Sequence, residues 1–406
     1  MYTTEGELVK VIKPGLNNTD SGPDFSDGRV MIGNTEWVGN IEIHVCSSEW
    51  FEHRHHLDPA YDSVILHVVY INDRTVFRKN GQSIPTLECV ELIDAKLTGR
   101  YNQLMSAKEL IPCARIVAYC PELLIKSWCE RVLIERMERK SAEMGATLQL
   151  LHNDWEVTFF RFICRSIGLK INSLPFELLA SSLSLKWIMR HHNQLQTLEA
   201  LLFGQAGFLE QSFSHQYAIN LQKEYRHLRA LYRIEPMNRS VWKFMRLRPA
   251  SFPTLRIAQL AAILHRTPAL FARFLEEDEL TKLEKIFEAE PYEFWKTHYS
   301  LDGESTKEHS CKMGRDSIYT VLINAVIPML FIYGQKHSDD QLIRRANLLL
   351  EQLPAENNAI VRAWLKTGIK VQDAFASQAL TELKNSYCSL KRCLDCRIGM
   401  ELIATR

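Results

Sequence analysis

The chain has 406 residues, of which 46% are hydrophobic and 24% charged, and its net charge is +1, a composition that is ordinary for a soluble globular protein. The sequence offers no apolar run approaching the ~20 residues that span a bilayer, and residues 1–5 lack the basic-then-apolar pattern of a signal peptide. We therefore expect a cytoplasmic protein of two or three domains without a membrane partner. Its ten cysteines are then expected to be thiols or metal ligands rather than disulfides.

The first 114 residues are rich in strand signals. Strands are predicted, with turn residues between them, at residues 9–12, 29–32, 41–45 and 64–71. The last of these is apolar at nearly every position, which is typical of a strand covered on both faces. Residues 47–53 predict a helix start with a serine cap, and a hairpin-like pair is predicted at 75–77 and 83–88 around the Asn-Gly turn at 80–81.

From residue 115 onward the pattern becomes helical. Residues 122–144 predict a long amphipathic helix with Pro121 in its first turn. Further helices are predicted at 154–167, 175–189, 194–203, 215–232, 254–265, 316–333, 339–352, 358–367 and 371–387. We therefore predict an α+β protein in which a small mixed-sheet domain, residues 1–114, precedes a large all-α region, residues 115–406.

The sharpest functional signal joins two of the predicted strands. Asp24 precedes the strand at 29–32, and Glu42 and His44 lie two residues apart on the strand at 41–45. Because side chains alternate along a strand, Glu42 and His44 project from one face and the aliphatic residues beside them from the other. Two carboxylates that converge from neighbouring strands suit a divalent cation, with positions left for water and a phosphate. The pattern predicts a metal-dependent phosphodiesterase.

This Pro-Asp…Glu-x-His pattern resembles the PD-(D/E)XK, or restriction-endonuclease-like, nuclease signature, with His44 in place of the usual lysine. The resemblance implies a restriction-endonuclease-like N-terminal domain with Asp24, Glu42 and His44 as catalytic residues. It also implies Mg²⁺ or Mn²⁺ held by Asp24 and Glu42, and a nucleic-acid substrate. Nearly the whole chain further resembles a family of uncharacterised bacterial proteins, a domain of unknown function, through NTDSGPDF at 18–25, WVGNIEIH at 37–44, VILHVVY at 64–70, FGQAGF at 203–208, RLRP at 246–249, RIAQLA at 256–261 and CLDC at 393–396.

Two departures from the nuclease pattern favour an alternative function. The resembled nucleases usually begin with a helix ahead of the first strand, whereas this chain starts almost directly at residues 7–12, so we expect that helix to be missing or the start to be late. A lysine at position 44 would offset negative charge in the transition state, while a neutral histidine acts as a base or a metal ligand. Lys10 or Lys13 is a candidate substitute. The alternative is a catalytically inactive nuclease-like binding or scaffold protein.

A histidine cluster follows the second acid. His53, His55 and His56, with Asp58 nearby and His67 on the next predicted strand, form a candidate site for zinc or another transition metal. His53 and His56 would lie one turn apart on a helix. The alternative is a polar loop, with His67 a buried, hydrogen-bonded imidazole. A further alternative is that the cluster supports the predicted metal ligands Asp24 and Glu42 without binding the metal itself.

A cysteine cluster lies near the C-terminus. The spacing of Cys388, Cys393 and Cys396 suits zinc or an iron–sulfur cluster. Cys113, Cys120 or a distant histidine is a candidate fourth ligand, and the alternative is a set of small buried residues on the last helix. The arrangement is similar to that of some nucleases of the resembled superfamily, in which remote cysteines surround an iron–sulfur cluster.

Arg246, Arg248 and Arg256, with Phe252 among them, are candidate substrate-binding residues, because arginine beside an aromatic ring is typical of phosphate- and base-binding surfaces. The alternative is a structural loop. Residues 1–114 carry 10 basic and 16 acidic side chains, a net charge of −6, and the remaining 39 basic and 32 acidic side chains give +7. This asymmetry suits an acidic metal site and a basic surface for a polyanion, or simply solvated helix faces. The sequence makes no prediction of the oligomeric state.

Overall fold

The computed structural model of the chain describes residues 1–303 and 307–405. By internal contacts this part of the chain divides into two compact units: unit 1 is Met1–Ala107 together with the C-terminal residues from Glu401, and unit 2 is Lys108–Met400. Compactness is not evidence of independent folding, so the predicted domains at 1–114 and 115–406 stay predictions. The strands are β1 Val9–Lys13, β2 Leu16–Asn17, β3 Phe25–Ile32, β4 Thr35–Cys46, β5 Val64–Ile71 and β6 Thr86–Glu88.

The strands form one mixed six-stranded sheet in unit 1. Its order is β1-β3-β4-β5-β6, with β2 paired to β3. The first three strands of this order pair antiparallel, whereas β5 runs parallel to β4 and β6 runs parallel to β5. A parallel pair needs a crossover connection, and the residues between β4 and β5 provide it. The crossover contains the histidine cluster.

Close approach of backbones explains a glycine in β4. A Cβ atom at Gly39 would lie 2.5 Å from Cγ2 of Ile65 and 2.6 Å from the carbonyl oxygen of Ser63, so only glycine lets the start of β5 pack here. The sheet's apolar core consists of Val9, Val30, Ile32, Ile41, Ile65, Leu66 and Leu87. A second apolar cluster consists of Trp50, Tyr61, Val64, Val76 and Ile84.

The first two helices of the chain lie in unit 1, and helices also make up most of unit 2. They are α1 Glu49–Glu52, α2 Ala95–Ser106, α3 Glu122–Leu150, α4 Trp155–Ile167, α5 Leu169–Ser182, α6 Leu185–Arg190, α7 Leu195–Gln205, α8 Gln216–Tyr232, α9 Pro253–Arg266, α10 Leu270–Glu276, α11 Leu280–Phe287, α12 Arg315–Val321, α13 Ile327–His337, α14 Asp340–Gln352, α15 Ala359–Leu365, α16 Ala374–Leu383 and α17 Arg397–Ala404. A mixed sheet followed by a large helical region confirms the α+β prediction. Helix α3 packs on α13 and α16.

The sequence pattern misassigned several elements. The predicted hairpin is reduced to a single antiparallel bridge between Phe77 and Ser83, because residues 86–88 pair in parallel with β5 instead. The predicted helix at 175–189 is divided between α5 and α6, since Leu183 and Ser184 are extended. Helices α2, α10, α11 and α17 were not predicted.

One helical stretch has membrane-like length. Within the described residues, Arg315–His337, which joins α12, a π-helical turn and α13, is the one helix long and apolar enough to cross a membrane by length and composition alone. Its most apolar window has a mean hydropathy of 1.7, and 72% of that window is buried inside the protein. Buried core helices pass the same criterion, so the predicted cytoplasmic location and lack of a membrane partner stay predictions.

A buried glutamate in unit 2 predicts a pH-dependent stability. Glu199 is fully buried, and its burial raises its pKa from 4.5 to about 8, although Tyr217 and Trp295 hydrogen-bond to it. Since the folded state holds this proton more tightly, the stabilisation is complete below about pH 4.5 and declines by about 1.4 kcal/mol per pH unit up to about pH 8. We expect Glu199→Gln to be more stable than the parent at about pH 9 and to match it within ~1 kcal/mol at about pH 5.

Urea unfolding at these two pH values measures the difference. The matched control is Glu210→Gln, because Glu210 is an exposed member of an ion pair with Arg229 and should change the stability little at either pH. Parallel stability–pH curves for the parent and Glu199→Gln would contradict the prediction.

Candidate metal centre

Strand pairing joins the two predicted acids. The backbone N–H of Asp24 donates a hydrogen bond of 3.0 Å to Oε2 of Glu42. In return, the N–H of Ile43 donates one of 2.9 Å to Oδ2 of Asp24. Each carboxylate is therefore held by a backbone N–H of the other segment, that of Glu42 by Asp24 just before β3 and that of Asp24 by Ile43 on β4.

In the second half of β4, polar side chains are buried and aliphatic side chains between and after them are exposed. Glu42 and His44 point to the same side, as predicted, and they are buried with only 5% and 8% of their surface exposed. The aliphatic residues between and after them, Ile43 and Val45, are 45% and 61% exposed. Burial of an acid and an imidazole in place of two aliphatic residues is costly unless partners compensate. This face of β4 is therefore the candidate functional site.

The crossover brings two more imidazoles to the same place. Helix α1 ends at Glu52, and Arg54 adopts a left-handed conformation with φ of +62°, which is uncommon for a residue other than glycine. This turn points His53 and His55 back toward β4. The predicted helical pairing of His53 with His56 is therefore not formed, and the His56 ring instead packs on Phe51 at 5.2 Å.

Three imidazoles converge, and a carboxylate lies beside two of them. Oε1 of Glu42 lies 3.4 Å from Nε2 of His44 and 3.3 Å from Nε2 of His55. Nδ1 of His53 lies 3.2 Å from Nε2 of His44. One ring nitrogen from each of the three histidines falls within 4.8 Å of the others. We call Glu42, His44, His53 and His55 the metal centre.

A layer of buried rings supports the centre. His67, fully buried on β5, is the register partner of Glu42, and its Nε2 lies 2.8 Å from Nδ1 of His44. Trp50 packs against both His55 and His67, with ring centroids 5.4 Å apart in each case. Tyr61 stacks on His55 at 3.8 Å. These contacts fix the orientations of the imidazoles.

The site holds a carboxyl group among uncharged imidazoles. Burial raises the pKa of Glu42 to about 7, a backbone hydrogen bond from Asp24 opposes the rise, and the negative charge of Asp24 adds to it. Burial, followed by the neighbouring imidazoles, lowers the pKa of His55 to about 4 and that of His67 to about 3, and burial lowers the pKa of His44. The buried imidazoles are therefore neutral at neutral pH and have lone pairs available for a cation.

The centre is accessible from solvent. A pocket of about 510 Å³ is lined by His44 and His53 together with Glu49, Tyr70 and aliphatic side chains of β4 and β5. His53 is exposed, in contrast to His44. A small molecule or a phosphate group can therefore reach the metal centre on the His53 side.

The predicted arginines belong to unit 2, whereas the metal centre belongs to unit 1. Arg246 and Arg248 are exposed. Arg256 is only 4% exposed, and its guanidinium donates hydrogen bonds to Gln259 and Ser317. Its charge is therefore used inside unit 2, and it has no part in the function proposed below.

The sequence pattern named Asp24, Glu42 and His44 as one candidate site and His53, His55 and His56 as a separate candidate metal site, and it did not predict that Glu42, His44, His53 and His55 lie together. The His-Arg-His-His run at 53–56 was the available signal. Helical spacing pairs His53 with His56. In the structure the left-handed backbone of Arg54 brings His55 to the site instead. Support from His67 depended on the parallel register of β4 and β5, which a single sequence does not reveal.

Comparison with known proteins identifies a family. A family model described as "Protein of unknown function (DUF2851)" matches residues 1–359. No curated protein and no solved structure matches the chain.

Proposed function

The chain belongs to this family of proteins of unknown function, and we propose, from the geometry of its metal centre, that it is a metal-dependent phosphodiesterase acting on nucleic acid. In this proposal Glu42, His44, His53 and His55 hold a divalent transition-metal ion beside Asp24. The observation that carries the proposal is the 3.3 and 3.4 Å spacing of Glu42 Oε1 from two imidazole nitrogens in a buried site.

The spacing of three donor pairs suits a single ion. Tetrahedral ligands at about 2.1 Å from a metal lie about 3.4 Å from one another. Three of the six donor pairs of this centre are separated by 3.2 to 3.4 Å, and the set of ligand atoms that all lie within 4.8 Å of one another contains the three imidazoles without Glu42, so a tetrahedral site requires Glu42 and His53 to approach each other. A donor set of three imidazoles and one carboxylate favours Zn²⁺ or Mn²⁺ over Mg²⁺, which prefers oxygen ligands.

The electrostatics also support a cation. Among the described residues, the interactions that set the pKa of Glu42 are burial, a backbone hydrogen bond from Asp24 and the charge of Asp24, and all the charge among them is negative. A buried carboxylate without a positive neighbour is unstable in its ionised form. A divalent cation would supply the missing charge and would leave Glu42 ionised at neutral pH.

Each residue of the centre has a specific role in this proposal. When bound, the ion would supply a Lewis acid for the phosphoryl group and would lower the pKa of water. Nδ1 of His44 and Nε2 of His67 share a hydrogen bond; with the proton on Nδ1 of His44, the tautomer that this proposal requires, the Nε2 lone pair of His44 is free for the ion. Asp24, whose backbone N–H donates to Glu42 and whose charge acts on it, is the carboxylate that would orient the water or accept its proton.

The nuclease assignment rests on the arrangement of the acids. Asp24 precedes β3, and Glu42 and His44 lie on its antiparallel neighbour β4, which is the order expected of a PD-(D/E)XK site. His44 takes the position of the usual lysine and, as a neutral imidazole, serves as a ligand rather than as a fixed positive charge. The exposed Arg246 and Arg248 and the net charge of +7 beyond residue 114 favour a polyanionic substrate.

The test uses the full-length chain, freed of metal by a chelator and reloaded separately with Mn²⁺, Zn²⁺ or Mg²⁺. We expect one tightly bound Mn²⁺ or Zn²⁺ per chain and much weaker binding of Mg²⁺. We also expect metal-dependent cleavage of bis(p-nitrophenyl) phosphate and of DNA or RNA. The matched control is His56→Gln, which changes a histidine of the same segment outside the metal centre and should retain both properties.

The two readouts separate the competing functions. A bound ion without cleavage of any of these phosphodiesters would overturn the enzyme in favour of the binding or scaffold protein. Failure of both ions to bind above the level of a His55→Ala variant would overturn the metal centre itself.

A further inference from the structure

A group of four buried thiols lies in unit 2, independent of the metal centre in unit 1. Cys388, Cys393 and Cys396 come from the C-terminal segment, and Cys113 comes from the segment before α3. They are 8 to 9% exposed. All four are free of disulfide bonds. We call them the thiol group.

The four sulfur atoms are neighbours of one another. Burial is the main cause that raises the pKa of each thiol, and that of Cys113 reaches about 12. Beyond burial, Cys113 interacts electrostatically with Cys393 and Cys396, Cys388 with the other three, and Cys393 with Cys396. Every pair within the thiol group is thus in electrostatic contact. Four buried thiols that neighbour one another provide the donor set that a bound metal cluster requires.

The backbone around the C-terminal cysteines forms a tight loop that brings the cysteines close together. Lys391 adopts a left-handed conformation with φ of +54°, and Arg392 N–H donates to the carbonyl oxygen of Tyr387 at 3.0 Å, which closes a tight loop after Cys388. A Cβ atom at Gly399 would lie 2.2 Å from the carbonyl oxygen of Cys393. Glycine therefore allows Cys393 to pack on the first turn of α17, beside Cys396.

Hydrogen-bond donors surround the sulfur of Cys396. The backbone N–H groups of Ile398 and Gly399, in the first turn of α17, donate to it and oppose the rise of its pKa. The indole N–H of Trp128 is buried near the same sulfur and has no hydrogen-bond partner. An unpartnered buried donor in this position is available to a metal-bound thiolate.

We propose that Cys113, Cys388, Cys393 and Cys396 bind an iron–sulfur cluster. Four cysteine thiolates are the usual ligands of such clusters. Four thiolates on a single zinc ion, at about 2.3 Å from it, would lie about 3.8 Å from one another. Within residues 1–303 and 307–405, only the three histidines of the metal centre have ligand atoms that all lie within 4.8 Å of one another. No three of the four sulfur atoms therefore meet that criterion, which favours a cluster, in which each thiolate binds a different iron atom, over a single zinc ion.

The cluster would join distant parts of unit 2. Cys113 precedes the long helix α3, while the other three ligands follow α16. A cross-link between these segments closes a loop that contains most of the unit, and closing long loops restricts the unfolded chain most strongly. The cluster is therefore expected to stabilise unit 2, without a part in phosphodiester hydrolysis.

The experiment measures iron, acid-labile sulfide and zinc in the full-length chain, purified or reconstituted without oxygen. We expect about four iron and four sulfide per chain and the broad visible absorption of thiolate-ligated iron. Cys113→Ala and Cys393→Ala should each lose most of the iron and sulfide. The matched control is Cys164→Ala, since Cys164 is a fully buried thiol on α4 whose pKa is raised by burial alone, and it should keep the cluster.

The metal-centre variant His55→Ala distinguishes this proposal from the proposed function, because it should retain the full sulfide content. Circular dichroism of each variant shows whether it folds. One equivalent of zinc without sulfide would overturn the proposal, as would sulfide that remains in a folded Cys113→Ala protein.

Discussion

Replacing Glu42 by glutamine is expected to lower the affinity for Mn²⁺ or Zn²⁺ by more than ~100-fold, and phosphodiester hydrolysis by about 10²–10⁴-fold. Glutamine keeps the shape of the side chain but removes the single carboxylate that contacts both His44 and His55. The remaining donors are neutral, so the charge of the ion would lose its main compensation. Titration calorimetry of the metal-free chain and hydrolysis at saturating metal measure the two effects separately.

In the metal-free protein, Glu42→Gln is not expected to lower the free energy of unfolding. Burial raises the pKa of Glu42 to about 7, so an ionised carboxylate at this position is unfavourable in the absence of a cation. Glu42→Gln should therefore fold as well as the parent, which separates loss of metal from loss of structure. The control is Glu36→Gln on the same strand, because Glu36 is exposed and pairs with Arg29 at 3.8 Å. Equal metal affinity in the parent and Glu42→Gln would remove Glu42 from the centre.

The sequence pattern predicted a strand or helix correctly where the residues of that segment alone determine its structure. The apolar run at 64–71 is strand β5 with the predicted bounds, since an apolar β-branched run has few alternatives. Element types were less certain where tertiary contacts decide. Residues 86–88 were assigned to a hairpin by the Asn-Gly turn, and the turn is present, with Gly81 N–H bonded to the carbonyl oxygen of Arg78. The neighbouring strand β5 nevertheless binds these residues more extensively than the hairpin does.

The candidate site was likewise predictable only where it depends on local spacing. Alternation placed Glu42 and His44 on one face of β4, but it carries no information on which face is buried. The buried polar face depends on the crossover, where Arg54 brings in His53 and His55, and on Trp50, which packs against the histidine rings. These are contacts between segments, and one sequence does not encode them in any local spacing.

The largest expected effect on stability comes from a buried ion pair in unit 2. Glu382 on α16 is 3% exposed and Arg136 on α3 is 8% exposed, and the pair is joined at 3.0 Å. Burial alone would raise the pKa of Glu382, but hydrogen bonds from Arg139, Ser386 and Arg136 outweigh it and lower the pKa to about 2. The folded state therefore holds this carboxylate ionised, and its contribution is present above about pH 4.5 and is lost as the pH falls toward about 2.

Glu382→Ala is expected to destabilise unit 2 by about 3–5 kcal/mol at neutral pH, because the guanidinium of Arg136 stays buried without its anionic partner. In a unit of this size the midpoint of thermal unfolding should fall by about 6 °C or more. The control is Glu143→Ala, which removes an exposed ion pair with Arg165 and should cost at most about 1 kcal/mol. The difference between the two variants should shrink below about pH 4.5, where the parent itself loses the charge of Glu382.

This ion pair also bears on the thiol group. It joins α3, which contains Trp128, to α16, which precedes Cys388. Arg136 is held in addition by Gln378, whose Oε1 accepts from its Nε at 2.6 Å, so Glu382→Ala keeps one of its buried contacts and should weaken the α3–α16 interface without abolishing it. If the iron–sulfur cluster cross-links the same region, its presence should reduce the destabilisation measured in the cluster-free chain. A loss below 1 kcal/mol in the cluster-free protein would show that Arg136 reaches solvent or another acid, and would contradict the assignment of a buried pair.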